Sequence, residues 1–209
     1  MTKKGLFIVF EGIDGAGTTT QANLLQKWMT QEGHACFTTC EPSDGPIGSL
    51  ARQIVKKRVV SRTQKGEEAQ FDADTLAMLF AADRLDHTKS FINPLTAAGK
   101  HVICDRYVVS SLAYQGHRSG YDWVKRLNDR IARPDITFFL RVRPEVAVAR
   151  MEASRPSRDM FEHLSSLRDV AAAYDWAVQA DTYGLITING EQSEENVHAD
   201  IIAQIDGML

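Results

Sequence analysis

The 209-residue chain has the length of one domain, since domains average roughly 150 residues. Hydrophobic residues make up 44% and charged residues 24%, which supports a sizeable core and argues against a disordered chain. The net charge of −3 excludes a global basic field that would draw the protein onto nucleic acid or an anionic membrane. We therefore expect a single domain over residues 1–209, no nucleic-acid partner, and local binding of any polyanion.

Apolar runs in the chain are short. The longest, Leu6–Phe10 and Leu76–Ala82, fall far below the roughly 20 residues that a membrane span needs. No small-residue cleavage site follows the first run, so we expect no signal peptide. Cys36, Cys40 and Cys104 lack metal-binding or redox spacing. These features predict buried, reduced thiols in a cytoplasmic protein with no membrane partner.

Strand and helix patterns alternate in the first half of the chain. Leu6–Phe10 is a continuous apolar run typical of a strand buried on both faces, and apolar residues at helical spacing follow a glycine-rich turn until Gly33. The patterns then predict a strand over 35–39, a helix over 47–60, a polar connection over 61–70, a helix from 72 towards 98 interrupted near its end by Pro94, and a strand over 101–104.

The second half continues the alternation. It predicts a strand over 136–140, a helix from 144, a basic turn at 155–158, a helix to 180, a strand over 185–188 and a last helix. Such alternation is typical of a three-layer α/β domain with a mostly parallel sheet flanked by helices. Ligands bind at the carboxyl ends of parallel strands, where Asp105 is expected.

Residues 12–19 match the phosphate-loop spacing GxxxxGK[ST] at every fixed position except one, because Thr18 stands where lysine is expected. Glycines let backbone N–H groups approach phosphate oxygens, and the following helix directs its positive end at the anion. A turn that only joins strand to helix is the alternative. We predict that the ATP phosphates are bound by Gly12, Ile13, Asp14, Gly15, Ala16, Gly17, Thr18, Thr19 and Thr20.

The missing lysine is the point charge that follows the β- and γ-phosphates during transfer. Loss of one preorganised donor typically costs ~10²–10³ in rate. Either another cation replaces it or the protein binds nucleotide without fast turnover. The candidates are Arg155 and Arg158, in a segment that could fold over the site, and Lys56, Lys57 and Arg58, which otherwise form a solvated helix face.

Four segments resemble the thymidylate kinase family, in the family's order and across most of the chain. They are 10–17 with 19–21, 79–84, 105–107 with 110–116, and 133–135 followed by a basic lid near 155–162. The resemblance implies a P-loop nucleoside monophosphate kinase-like fold with a lid over about 151–162. It also implies transfer of the γ-phosphoryl group of MgATP to dTMP, giving dTDP and ADP, and a homodimer. Gly15 fits the family's lid style in which the arginine lies in the lid.

The resemblance assigns roles to the matched residues. Phe80 is expected to stack on the thymine ring, and Arg84, one helical turn on, to hydrogen-bond the base edge. Arg106 is expected to hold the monophosphate, and Asp105 with Thr19 to bind Mg²⁺. The dTMP site is expected to comprise Asp14, Phe80, Arg84, Arg106, Ser110, Ser111, Tyr114 and Gln115, and the catalytic set Asp14, Asp105, Arg106, Arg155 and Arg158.

Two other functions remain open. Thr18 favours a nucleotide-binding protein of kinase fold with little or no transfer activity, as does Cys40, where many bacterial members have arginine before Glu-Pro. A kinase for another deoxynucleotide, or for a deoxynucleoside, would use a different acceptor. Considered alone, Phe80 would be a core residue and Arg84 would form a surface ion pair with a neighbouring aspartate.

Overall fold

A computed structural model describes residues 4–154, 160–180 and 183–209. Its strands are β1 (Phe7–Glu11), β2 (Cys36–Cys40), β3 (Ser61–Arg62), β4 (Glu68–Ala69), β5 (His101–Asp105), β6 (Ile136–Arg141) and β7 (Leu185–Asn189). Five strands form one parallel sheet in the order β2-β5-β1-β6-β7. Helices flank this sheet, which confirms the predicted α/β fold.

The helices occupy most of the connections between strands. They are α1 (Thr18–Gln31), α2 (Pro46–Val55), α3 (Ala73–His87), α4 (Asn93–Ala97), α5 (Val108–Tyr114), α6 (Gly116–Ser119), α7 (Tyr121–Leu127), α8 (Pro144–Ser154), α9 (Met160–Gln179) and α10 (Glu194–Ile205). A π-helical segment, Thr88–Ile92, joins α3 to α4, and a short 3₁₀-helix, Asp206–Met208, follows α10.

Strand β1 lies at the centre of the sheet, and all five of its residues are buried. It pairs with β5 on one side and β6 on the other, with Phe10 in register with both Asp105 and Phe138. The continuous apolar run is thus covered on both faces, as predicted. Because β1 and β5 are parallel neighbours, the glycine-rich turn after β1 and Asp105 at the end of β5 meet at one edge of the sheet.

Two sequence-based predictions of local structure are wrong, and a third is refined. The helix expected to reach residue 60 ends at Val55, and Lys57 adopts a left-handed conformation with φ of 55°. The expected polar connection contains the antiparallel hairpin β3–β4. The helical segment predicted from residue 72 towards 98 is confirmed, but its interruption is the π-helical segment before Pro94, which lies in the first turn of α4, where it needs no N–H partner. The predicted basic turn at 155–158 lies outside the described residues.

The cysteines are free thiols, with Cys36 and Cys104 buried and Cys40 half-buried. The expectation of three buried thiols is therefore wrong for Cys40. Burial raises the pKa of Cys36 to about 12, which keeps it protonated at neutral pH. In the part of the chain that the structure describes, no helix is long and apolar enough to cross a membrane.

Candidate active site

The loop after β1 takes the conformation that its glycines allow. Gly15 and Gly17 have φ angles of 82° and 95°, and α1 begins at the next residue, Thr18. The loop and the start of α1 border a cavity of about 530 Å³ that is lined by all predicted phosphate-binding positions from Asp14 to Thr20. The Ile13 side chain is buried in the core, and Gly12 has no side chain. These two residues could therefore bind a phosphate only through their backbone atoms. The α1 N-terminus borders this cavity, as an anion site requires.

Thr19 and Asp105 meet where the ends of α1 and β5 converge. The Thr19 hydroxyl donates a short hydrogen bond to Oδ2 of Asp105, while Oδ1 of Asp105 is buried and has no hydrogen-bond partner among the described residues. Hydroxyl and carboxylate oxygens are the ligands that Mg²⁺ prefers. The pair predicted to bind the metal is therefore assembled, and an unpartnered carboxylate oxygen fits a cation there.

Arg106 connects the phosphate loop to the opposite side of the site. Its guanidinium donates to the carbonyl oxygen of Gly12 at 2.8 Å and to the Asp14 carboxylate at 2.6 Å, and it lies 5.3 Å from the centre of the Tyr114 ring. Its backbone has φ of 71°, which costs a non-glycine residue roughly 1–2 kcal/mol. The hydrogen bond from its N–H to Phe10 O, 2.8 Å long, fixes this strained position beside the loop.

A second cavity, of about 250 Å³, shares Asp14 and Arg106 with the first. Its walls bring together α3, α5 and the end of α2. Burial raises the pKa of Tyr114 to about 12, and Oε1 of Gln115 is buried without a partner among the described residues. The lining includes every residue predicted for the dTMP site: Asp14, Phe80, Arg84, Arg106, Ser110, Ser111, Tyr114 and Gln115.

Arg84 is a buried side chain of this cavity with four hydrogen bonds. It is 1% exposed and donates to Glu41 at 2.7 Å and to Asn128 at 2.7 Å. Its Nη2 also donates to the backbone oxygen of Tyr107 and to the Ser111 hydroxyl, both at 3.0 Å. The alternative of a surface ion pair with a neighbouring aspartate is wrong. These bonds leave one N–H of Nη1 uncommitted among the described residues, so most of the guanidinium is fixed before any ligand binds.

Sequence reasoning missed a buried acid beneath Arg106. Glu11 accepts hydrogen bonds from the backbone N–H groups of Tyr107 and Ser110, and from the hydroxyls of Ser110 and Tyr174 at 2.6 and 2.9 Å. Burial raises the pKa of Glu11, while these bonds and the Arg106 charge oppose the shift. The sequence does contain a signal for this acid, because Glu11 directly follows an apolar run that is typical of a buried strand, and a buried carboxyl group needs hydrogen-bond partners. Through Tyr174, this cluster ties α9 to the acceptor side.

Other site residues were also missed or lie elsewhere. Arg150 of α8 lines the phosphate-loop cavity, although no motif marks it. Asn128 orients Arg84 through a contact across 44 residues of sequence. Lys56, Lys57 and Arg58 follow α2 and do not line either cavity, and Arg155 and Arg158 lie outside the described residues.

Residues 10–201 match the model of a protein family described as thymidylate kinase. This match spans most of the chain. The chain belongs to the thymidylate kinase family.

Curated relatives support the same assignment to the thymidylate kinase family. A protein named "probable thymidylate kinase" from Methanocaldococcus jannaschii is 38% identical over 203 residues, covering 96% of this chain and 95% of the relative. A protein of the same name from Thermococcus kodakarensis is 37% identical, and the match covers 98% of each chain. Another, from Pyrococcus abyssi, is 36% identical, and the match covers 97% of this chain and 96% of the relative. The similarity therefore extends over both cavities.

At Cys40, where many bacterial members of the thymidylate kinase family have arginine, a neighbouring arginine brings a positive charge. Nη1 of Arg52 lies 3.9 Å from the Cys40 sulfur. The same guanidinium donates to the carbonyl oxygens of Pro42 and Ser43 and to the carboxylate of Asp44. Arg52 is thus committed to the loop after β2 rather than free to follow a phosphate.

Proposed function

We propose that this protein transfers the γ-phosphoryl group of MgATP to dTMP, giving dTDP and ADP. The carrying observation is the 250 Å³ cavity, which all eight residues assigned to a dTMP site line together. Its size suits a nucleoside, and its position beside Arg106 and the phosphate loop suits an acceptor phosphate that faces ATP. The names of the curated relatives give independent support for thymidylate as the acceptor.

Base recognition in this proposal uses one aromatic face and fixed polar groups. Phe80 offers a ring on which a pyrimidine can stack, on the same helix as Arg84. The free N–H of Arg84 and the amide of Gln115 supply directional hydrogen bonds to the base edge. Tyr114 lines the same cavity, and in this proposal its ring leaves less room for the 2′-hydroxyl of a ribonucleotide, which favours a deoxyribose.

Phosphate recognition uses Arg106. Its fork-shaped guanidinium now binds Asp14 and Gly12, so the incoming phosphate of dTMP exchanges for the Asp14 carboxylate and leaves Asp14 free for the sugar 3′-hydroxyl. Thr19 and Asp105 would hold Mg²⁺, which supplies charge neutralisation at the donor phosphates when bound. An acceptor phosphate carries its own negative charge, so the reaction needs positioning and charge stabilisation rather than a strong base.

The finer assignments remain predictions. They are the roles of Arg155 and Arg158 in the lid, the Mg²⁺ requirement, the homodimer and a cytoplasmic location. The loop cavity of 530 Å³ supports ATP as the donor, because the start of α1 and the phosphate loop both border it.

The direct test is ADP release by the purified protein with MgATP and a panel of acceptors. The panel comprises dTMP, dUMP, dCMP, ribose TMP, thymidine and no acceptor. We expect dTMP to give the highest kcat/KM by at least tenfold, and dTDP to form in equal amount to ADP. If another monophosphate or thymidine gives the highest kcat/KM, that compound and not dTMP is the acceptor.

A nucleotide-binding protein with little transfer activity is the second candidate, and Thr18 is the observation that favours it. It predicts that dTMP and ATP bind with ordinary affinity while no acceptor drives ADP release. Titration calorimetry on the same protein preparation measures both affinities and so separates lost catalysis from a misfolded sample.

A further inference from the structure

We infer that Arg150 supplies the positive charge at the donor phosphates that the phosphate loop lacks at Thr18. This inference rests on the proposed function and deepens it. Arg150 and Thr18 line the same cavity of about 530 Å³ although they lie on different elements, α8 and α1. The lining of this cavity includes the glycine loop from Asp14 to Gly17 as well as Arg150.

Helix α8 lies directly against the phosphate loop. A Cβ atom on Gly15 would lie 2.6 Å from the carbonyl oxygen of Ala147 and 3.1 Å from Cγ of Met151. Arg150 lies between Ala147 and Met151 in sequence, and it lines the cavity together with Met151. The absence of a side chain at Gly15 is what lets α8 approach this closely.

The other cations near this cavity are committed elsewhere. Arg106 is held by Gly12 and Asp14 and faces the acceptor side. Arg143 binds Glu191 through Nε and Nη2, at 2.8 to 3.0 Å. Among the described residues, Arg106 and Arg150 are the cations that line the cavity.

The Arg150 guanidinium, by contrast, forms no hydrogen bond or close ion pair with the residues that the structure describes, and its charge makes only the smallest of the contributions that shift the pKa of Glu191. The nearby carboxylate of Glu191 is already satisfied by Arg143. Thr18 is a neutral residue, so it brings no positive charge to the cavity. It is also buried, and its methyl group lies 3.3 Å from the position that a Cβ on Gly12 would take. A cavity built for phosphates thus contains one uncommitted positive charge within the described residues.

The reaction places its changing charge where such a cation is needed. A phosphate oxygen of dTMP forms a bond to the γ-phosphorus while the bond from that phosphorus to the bridging oxygen breaks. The electron pair of the broken bond stays on the β-phosphate of the departing ADP. A guanidinium can donate two parallel hydrogen bonds to these oxygens, and arginine remains charged throughout. The predicted role of Arg150 is to stabilise this developing charge.

The experiment is a double-mutant cycle between Arg150→Met and Thr18→Lys, measured as kcat with dTMP at saturating MgATP. We expect Arg150→Met to lower kcat by about 10²-fold, with the KM for dTMP changed less than threefold. In the Arg150→Met background, Thr18→Lys should raise kcat at least tenfold. In the otherwise unmodified protein, Thr18→Lys should change kcat much less. Arg168→Met is the matched control, because Arg168 lies on α9 in an exposed ion pair with Glu145.

A second arm does not depend on lysine fitting at position 18, which is buried. Arg150→Ala should regain activity on addition of guanidinium chloride at millimolar concentration, whereas Arg168→Ala should show no such gain. Thermal melting and dTMP affinity are measured for every variant to exclude a folding defect.

Full activity in Arg150→Met, or equal effects of Thr18→Lys in both backgrounds together with no guanidinium rescue, would overturn the inference. Loss of activity in Arg155→Met or Arg158→Met alone would then assign the charge to the lid. If the unmodified protein transfers no phosphoryl group to any acceptor, the proposed function fails instead. In that case Arg150→Met must still weaken ATP binding at least tenfold by calorimetry, and unchanged ATP affinity contradicts the role of Arg150.

Discussion

The acceptor and donor halves of the site are built in different ways. The acceptor half is a network of buried side chains, in which Arg84 donates to both Glu41 and Asn128 and Glu11 anchors the segment beside Arg106. The donor half is a glycine loop with few side chains, and α8 packs against it. The acceptor half is thus organised before substrate binds, whereas the donor half depends on backbone groups and on the charge that we infer for Arg150 of α8.

Removing Arg84 should have the largest effect, because it breaks the buried network. Arg84→Met leaves the buried Glu41 carboxylate with His87 but without its arginine partner, and leaves Oδ1 of Asn128 without its donor. We expect a loss of about 3–5 kcal/mol in the free energy of unfolding, measured by urea denaturation. Arg168→Met, which breaks an exposed pair, should leave the midpoint almost unchanged. Equal stability of the two variants would contradict the difference between a buried and an exposed pair.

Arg106→Ala should have the next largest effect, and should affect activity rather than folding. It removes the guanidinium that we propose binds the acceptor phosphate, so we expect kcat/KM for dTMP to fall by ~10²–10³. Arg106→Lys keeps the charge but loses the fork and should recover only part of the loss. The affinity for ATP alone should change little, since the donor phosphates are held by the loop. A normal rate with dTMP in Arg106→Ala would reject the assignment.

Gly15→Ala tests the donor half. The added Cβ would lie 2.6 Å from a backbone oxygen of α8, and φ at Gly15 is 82°, so α8 must move. We expect a weaker ATP affinity and a lower kcat, by about tenfold each. Gly17→Ala is the matched control: its φ of 95° is equally strained, but nothing lies within 4 Å of its Cβ position. Equal defects in both variants would mean that backbone strain, rather than contact with α8, matters.

The exposed pair between Arg143 and Glu191 should have the smallest effect. The hydrogen bonds from Arg143 lower the pKa of Glu191 from 4.5 to about 2. The folded-state pKa is lower than the unfolded one, so the contribution to stability is present above about pH 4.5 and is lost as the pH falls towards 2. In Arg143→Gln, NMR titration of the Glu191 carboxyl group should show its pKa return towards 4.5. A pKa that stays near 2 would mean that another group causes the shift.

The difference between the acceptor half and the donor half also explains how much of the site could be predicted from the sequence. Local patterns were sufficient for β1, for the glycine loop and for the helix that follows it, because buried strands and glycine turns are set by neighbouring residues. The acceptor residues Phe80, Ser111 and Gln115 were predicted from family motifs, and the structure brings them to one cavity.

The contacts that organise the site join residues far apart in sequence, and these could not be predicted. Asn128 reaches Arg84 across 44 residues, and Tyr174 reaches Glu11 across 163. Arg150 belongs to no motif, and only the packing of α8 on Gly15 brings it to the loop. The fold therefore followed from local sequence and resemblance, and the acceptor chemistry stays a prediction from resemblance, while the partner of each charged group required the tertiary structure.

The most direct test of phosphoryl transfer is a single-turnover measurement with ATP labelled at the γ-phosphate, the protein in excess over ATP, and dTMP present or omitted. We expect the label to move into dTDP in one exponential phase that requires dTMP, with little label released as inorganic phosphate. If dTMP binds but the label stays in ATP or passes only to water, the protein does not act as a dTMP kinase.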